Sequence, residues 1–154
     1  MDKLGIAVSS FGASQLSYLI INNVNKYLQT EYKTDIIGFY ENLTKYSLDP
    51  QFSCMQGVEM WGYTGNVIAT NLSSAQDIIK IPSIKKKFFY VWDLEWVDII
   101  DKDYLKLRQI YRHPKLKIIT RCQDYADILN DMWGIKISSI IEDFDIKKLM
   151  EISQ

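Results

Sequence analysis

The stretch that decides the fold runs from residue 4 to residue 40: LGIAVSSFGASQLSYLIINNVNKYLQTEYKTDIIGFY. It opens with the apolar run Leu4 to Ser9, breaks at Ser10-Phe11-Gly12, and resumes as a helical pattern from Ser14 to about Gln29. Leu16, Leu19, Ile20, Val24, Tyr27 and Leu28 fall on one helical face, with Asn22, Asn23 and Lys26 between them. Asp35 to Tyr40 (DIIGFY) then reads as a second strand. Strand, helix and strand at this spacing form a β-α-β unit, which calls for a parallel pair joined by a right-handed crossover.

The same alternation continues downstream. Glu41 to Gln51 is polar, contains Pro50 and reads as a loop. Phe52 to Gln56 is a third strand, Gly57 to Trp61 a single helical turn, and Gly62-Tyr63-Thr64-Gly65 a turn before a fourth strand, Val67 to Thr70. Ser73-Ser74-Ala75-Gln76 matches a capping box, so a helix starts there and stops before Pro82. Phe88 to Trp92 (FFYVW) has the unbroken apolar character of a strand buried on both faces. After a loop over 93–100, Asp101 or Asp103 caps a helix with Tyr104, Leu107 and Tyr111 inside, stopped by His113-Pro114. Leu116 to Ile119 is the sixth strand. Thr120-Arg121-Cys122-Gln123 is another capping-box match, Tyr125, Ile128, Leu129 and Met132 mark the inner stripe, and Gly134 closes that helix. Ile135 to Ile141 and Phe144 to Ile152 supply a seventh strand and a last helix. The expected fold is therefore α/β: one Rossmann-like three-layer domain over residues 1–154, with a mainly parallel sheet of about six to seven strands.

Composition narrows the classes. With 47% apolar and 24% charged residues, the chain has the balance of a globular protein. No apolar run reaches the ~20 residues of a membrane helix. The start, MDKLGIAVSS, reads as a first strand and not as a leader, so a cytoplasmic location is expected, with Cys54 and Cys122 reduced. Cys54 sits in an apolar stretch and reads as a core residue. Two cysteines and one histidine fall short of the roughly four ligands of a structural zinc site, so no metal is expected. A net charge of −1 argues against a dedicated nucleic-acid binder. The charge is uneven, however: residues 80–121 hold 11 basic and 5 acidic side chains, the remainder 7 and 14. That segment either attracts an anionic partner or presents solvated helix faces.

Open parallel sheets place ligands at the carboxyl ends of strands, where strand order reverses. For an order of 3-2-1-4-5-6-7 the reversal falls between the first and fourth strands. Its flanking loops, Ser9 to Ser14 and Thr70 to Ser74, are small and polar. Ser10, Gly12, Asn71 and Ser73 are the binding candidates there, because small residues admit a ligand to the backbone and helix N-termini favour anions. The same composition also serves an ordinary turn. GxGxxG and GxxxxGK[ST] are absent, so no dinucleotide or other cofactor is expected. GxSxG is absent too, and one histidine leaves no evident Ser-His-Asp triad. Straight after the fifth strand comes Trp92-Asp93-Leu94-Glu95-Trp96. Asp93 and Glu95 are the catalytic candidates, as acceptors from sugar hydroxyls or as a base, with Trp92 stacking on a ring. The competing reading makes the acids caps and the tryptophans core or interface residues. Arg121 is either a clamp for a phosphate or carboxylate or a surface ion-pair partner.

The residues from Gly65 to Asn71, the helix to Pro82 and Lys87 to Asp93 resemble the middle of the N-terminal domain of a GT-B glycosyltransferase. Lys117 to Cys122, the helix to Gly134 and Ile140 to Asp145 resemble the stretch leading to that family's interdomain linker. The resemblance implies an acceptor-binding half-domain or remnant that binds a sugar or nucleotide-sugar. It implies a donor-binding domain on a separate chain, or a homo-oligomer, and a source among tailed phages, hence the host cytoplasm. The chain departs from the family in the lone Gly12 of its first loop and in lacking an evident basic histidine, His113 falling on a different element. Two other readings stay open: a non-catalytic interaction module on the same scaffold, and a small nucleotide-binding, flavodoxin-like protein.

Overall fold

The computed structural model describes residues 3–31, 33–98 and 103–154. Its seven strands are β1 (Lys3–Val8), β2 (Asp35–Tyr40), β3 (Ser53–Gln56), β4 (Asn66–Ala69), β5 (Lys87–Val91), β6 (Leu116–Thr120) and β7 (Ser139–Ile140). They form one sheet in the order β3-β2-β1-β4-β5-β6-β7, and every pair is parallel. The helices are α1 (Gln15–Thr30), α2 (Leu72–Lys80), α3 (Tyr104–Tyr111), α4 (Gln123–Trp133) and α5 (Ile146–Ser153). This is the α/β Rossmann-like layering that the strand–helix alternation specifies.

Two apolar layers sandwich the sheet because each central strand is apolar on both sides. In β5, Phe88 and Tyr90 join the layer under α1 and α5, while Phe89 and Val91 join the layer under α2, α3 and α4. Four-residue β4 buries Val67, Ile68 and Ala69 completely. Packing is tight at β2, where Gly38 lets the Phe11 ring lie on the backbone: a Cβ there would sit 2.5 Å from Phe11 Cζ. Gly134 closes α4 in the left-handed conformation, at φ 63°.

Several local expectations are corrected. The N-cap of α2 is Asn71, not Ser73: Asn71 Oδ1 accepts from the Ser74 amide at 2.7 Å, and Ser74 Oγ accepts from the Asn71 amide at 3.3 Å. For α4 the cap is Cys122, with no side-chain bond, because the Thr120 hydroxyl donates to the Cys122 carbonyl instead. Asp103 caps α3 through the Lys106 amide; the other capping candidate, Asp101, lies outside the described residues. Tyr104, Ile128 and Met132 are exposed, not inner. Trp133 takes the buried place on α4, stacked on Tyr111 at 5.5 Å, which rotates the helix away from the expected stripe. β7 shortens to two residues. The last helix starts at Ile146, capped by Asp145, after a short turn in which Asp143 and Phe144 have φ near 50°. Cys54 is half-buried, and both cysteines are free thiols.

Candidate functional site

Strand order reverses between β1 and β4, and a cleft of about 420 Å³ opens at their carboxyl ends. Three segments wall it. The first is the β1–α1 loop. Phe11, buried against Phe52 and Tyr46, nails its middle to the core. Gly12 packs against Thr44, whose hydroxyl would lie 2.6 Å from any Cβ there. Ser14 caps α1 by accepting from the Ser17 amide at 3.1 Å, and the buried Ser17 hydroxyl donates to the Ser10 carbonyl at 2.8 Å. Local hydrogen bonds to the backbone thus fix the shape of the loop.

The second wall is the β4–α2 turn. Buried Thr70 donates its hydroxyl to the Ala7 carbonyl at 2.8 Å, tying the ends of the two switch-point strands together. Asn71 follows as the cap of α2. The third wall is the segment after β5, carrying Trp92, Asp93 and Glu95. Buried Trp96 anchors it, packed edge-on against Tyr111 and Trp133 at 5.6 Å. Glu95 reaches across to α2, where Oε2 accepts from the Leu72 amide at 2.8 Å, an anion placed on a helix N-terminus. Burial nevertheless pushes the Glu95 carboxyl from 4.5 up to about 6; the Leu72 amide opposes the rise, while Asp93 and Glu41 add to it. Tyr111 lies within electrostatic reach of Glu95, and burial, then that charge, raises its hydroxyl well above the ordinary value.

Of the residues singled out from the sequence, Ser10, Asn71, Trp92, Asp93 and Glu95 come together around the cleft. Gly12 supports the loop from behind. Ser73 faces a different groove, with Asp103 and Lys106 of α3. Arg121 lies over the Trp92 ring at 4.4 Å and the Tyr125 ring at 5.1 Å, donating to the Tyr125 hydroxyl at 3.2 Å. With Arg121 on its ring and Tyr90 stacked at 6.5 Å, Trp92 is an apolar wall and not a free platform for a sugar. Gln15, Leu16 and Ser17 also line the cleft. Helical periodicity alone assigns them to a helix and not to a site; their position in the first turn behind β1 is the signal that finds them.

Beside the apolar Val8, Leu16 and Trp92, the polar part of the lining is hydroxyl, amide and carboxylate, with no lysine or arginine among the described residues that form it. Among the described residues, no group of three His, Cys, Asp or Glu is placed to hold a metal ion, and no helix is long and apolar enough to cross a membrane. The fold and the cleft define the class: a Rossmann-like α/β domain with a polar, acid-bearing crevice at its switch point. Set against known proteins, the chain matches no family model, no curated protein and no solved structure.

Proposed function

We propose that this chain is a glycosyltransferase-like, acceptor-binding half-domain whose cleft takes a neutral, hydroxyl-rich ligand of the sugar class. The observation that carries the reading is the chemistry of the lining: Ser9, Ser10, Ser14, Asn71, Asp93 and Glu95 offer donors and acceptors without a cation. A phosphorylated ligand would meet the N-terminus of α1 but would stand against two carboxylates. A polyol gains from those carboxylates, since charged acceptors make the stronger hydrogen bonds. Glu95, at about 6, is charged at neutral pH and basic enough to take a proton from an acceptor hydroxyl. An activated donor would come from a second domain or a second chain.

The test is thermal unfolding of the full chain with neutral mono- and disaccharides, nucleotide-sugars, mononucleotides and inorganic phosphate at millimolar levels. Binding to the folded state raises the midpoint by mass action. Neutral sugars should raise it more than phosphate or mononucleotides do. The rise should vanish in a double variant, Asp93→Asn with Glu95→Gln. The absence of any rise with sugars, or its survival in the double variant, overturns the reading. A rise with mononucleotides alone would move the chain to the nucleotide-binding class.

A further inference from the structure

Charge is sorted along the strands. β5 and β6 start side by side, with Lys87 opposite Leu116 and Phe88 opposite Lys117, so Lys85, Lys86 and Lys87 meet Lys115 and Lys117 at the amino end of the sheet. Lys136 enters the same edge, because the Ser138 amide, two residues on, donates to the Ile118 carbonyl at 2.8 Å. The stretches 81–91, 112–120 and 134–140, which lead into and form these strands and β7, contain no acid. At the other end β5 is followed by Asp93 and Glu95, and β7 by Glu142, Asp143 and Asp145. The net charge of −1 conceals this separation. Lys87 is occupied by the carbonyls of α2, and Lys86 by the Ser153 carbonyl at 3.3 Å. Lys85, Lys115, Lys117 and Lys136 are exposed, and among the described residues the sole ion pair joins Lys148 to Asp145. The charges are close enough to repel: burial and then Lys115 lower Lys87, and burial, Lys115 and Lys87 lower His113. Beside them stands Trp61, 56% exposed. The Ser83 hydroxyl donates to its carbonyl at 3.4 Å, and the Lys85 amide to the Gly65 carbonyl at 3.1 Å. Unlike Trp92, Trp96 and Trp133, Trp61 stacks on no aromatic or cationic side chain among the described residues.

We propose that this basic end binds a single strand of nucleic acid, with backbone phosphates on the exposed lysines and a base on the Trp61 indole. Ammonium groups are compact point charges, which suit a repeating phosphate; a carboxylate-bearing peptide is better held by guanidinium forks. An indole with an open face stacks a base of any type, and an unpaired strand offers such a face. A lipid surface fits less well, because an interfacial element buries a broad apolar face. Between the lysines, Ile84, Leu116 and Ile118 are buried in the core and present no such face. The acids at the opposite end repel the same strand, so the field of the whole sheet directs it away from the cleft.

Fluorescence anisotropy of a dye-labelled oligothymidine of about 20 nucleotides, titrated with the full chain, tests this, with circular dichroism confirming that each variant is folded. With about four phosphates neutralised, affinity should fall about fiftyfold between about 50 and 200 mM salt. Lys85→Glu with Lys115→Glu should weaken binding by about tenfold or more. The decisive control is Lys26→Glu with Lys45→Glu, an equal change of net charge at exposed lysines of α1 and of the loop after β2. It should cost about threefold or less, because salt screens distant charges. Trp61→Ala should weaken the single strand by about fivefold or more and leave the salt dependence unchanged. A duplex of the same length should bind less tightly than the single strand. The proposal is overturned by no binding to the single strand at about 50 mM salt, by equal losses in the two double variants, by an unchanged Trp61→Ala, or by tighter binding of the duplex. Binding to vesicles of phosphatidylglycerol in phosphatidylcholine, with none to the single strand, overturns it in favour of a lipid surface.

Discussion

Helix α2 is met at both ends by an ionisable side chain from the flanks of the same strand, and the two ends behave differently. At its C-terminus the Lys87 ammonium, from the first residue of β5, donates to the Ile79 and Ile81 carbonyls at 3.2 and 2.6 Å. At its N-terminus the Glu95 carboxylate, beyond the end of β5, accepts from the Leu72 amide. Both placements suit the helix dipole. Lys87, however, is 5% exposed and lies away from the switch-point cleft, whereas Glu95 forms part of the cleft wall beside Asp93. Burial pulls the lysine down and the glutamate up, so both charged forms are disfavoured by the interior. One end of the sheet spends its buried charge on closing a helix; the other holds a charge that closure alone does not require.

The largest effect that could break this comparison is expected at the closed end. Lys87→Met keeps the apolar stem but leaves two carbonyls at the C-terminus of α2 without their donor. Each unmet buried carbonyl costs ~1–3 kcal/mol, offset in part by removal of a disfavoured buried charge, so a net loss of ~2 kcal/mol is expected. Urea unfolding measures it, and the midpoint should fall with no change in slope. A Lys87→Met chain as stable as its parent would mean that the ammonium does no more for α2 than Glu95 does.

At the open end the sign reverses. The folded-state value of Glu95 lies above its ordinary 4.5, so this group favours the fold most below pH 4.5, and that contribution is lost as pH rises through about 6. Glu95→Gln keeps an oxygen to accept from Leu72 but removes the charge. The full shift corresponds to ~2 kcal/mol, which solvent at the cleft reduces to ~1 kcal/mol. The variant should therefore be ~1 kcal/mol more stable than its parent at pH 7 and equal to it at pH 4, while losing sugar-induced stabilisation. Paired unfolding curves at the two pH values check this. Equal stability at pH 7 would make Glu95 an ordinary cap, the same in kind as Lys87.

What can be read from the sequence follows from range. The seven strands and the loops that follow the first and fourth rest on local patterns: apolar runs, small polar breaks and helical stripes; the order in which the strands lie side by side does not. The cap of α2 is harder to place, because Asn71-Leu72-Ser73-Ser74 and Ser73-Ser74-Ala75-Gln76 both begin with a good capping residue. Ser74 is buried, which settles the register, and burial is not written in the local sequence. The inner face of α4 escapes the local pattern for a related reason. Met132 and Trp133 are adjacent, and only the distant Trp96 and Tyr111 choose between them. The bond from Glu95 to Leu72 spans 23 positions and has no sequence signature at all. The acidic, indole-flanked composition after β5 marks the segment, yet does not say which acid is held by a helix and which is free of it.

Arg121 offers the smallest effect and the finest test of where the open end stops. Its guanidinium lies on the Trp92 ring, outside the cleft lining, with Tyr125 as a second aromatic neighbour and hydrogen-bond partner. A half-exposed cation–π contact is worth ~0.5–1 kcal/mol, and the hydrogen bond to Tyr125 adds little in water. Arg121→Gln should thus lower stability by ~0.5–1 kcal/mol and alter Trp92 fluorescence, because the ring loses the cation that covers it. If Arg121 serves the wall and not the ligand, the sugar-induced rise in unfolding midpoint should keep its size and its dependence on sugar concentration. A change in that rise with only slight loss of stability would instead place the guanidinium in contact with ligand. The charge inventory of the cleft would then gain a cation, and the preference for neutral sugars over phosphorylated ligands would lose its physical basis.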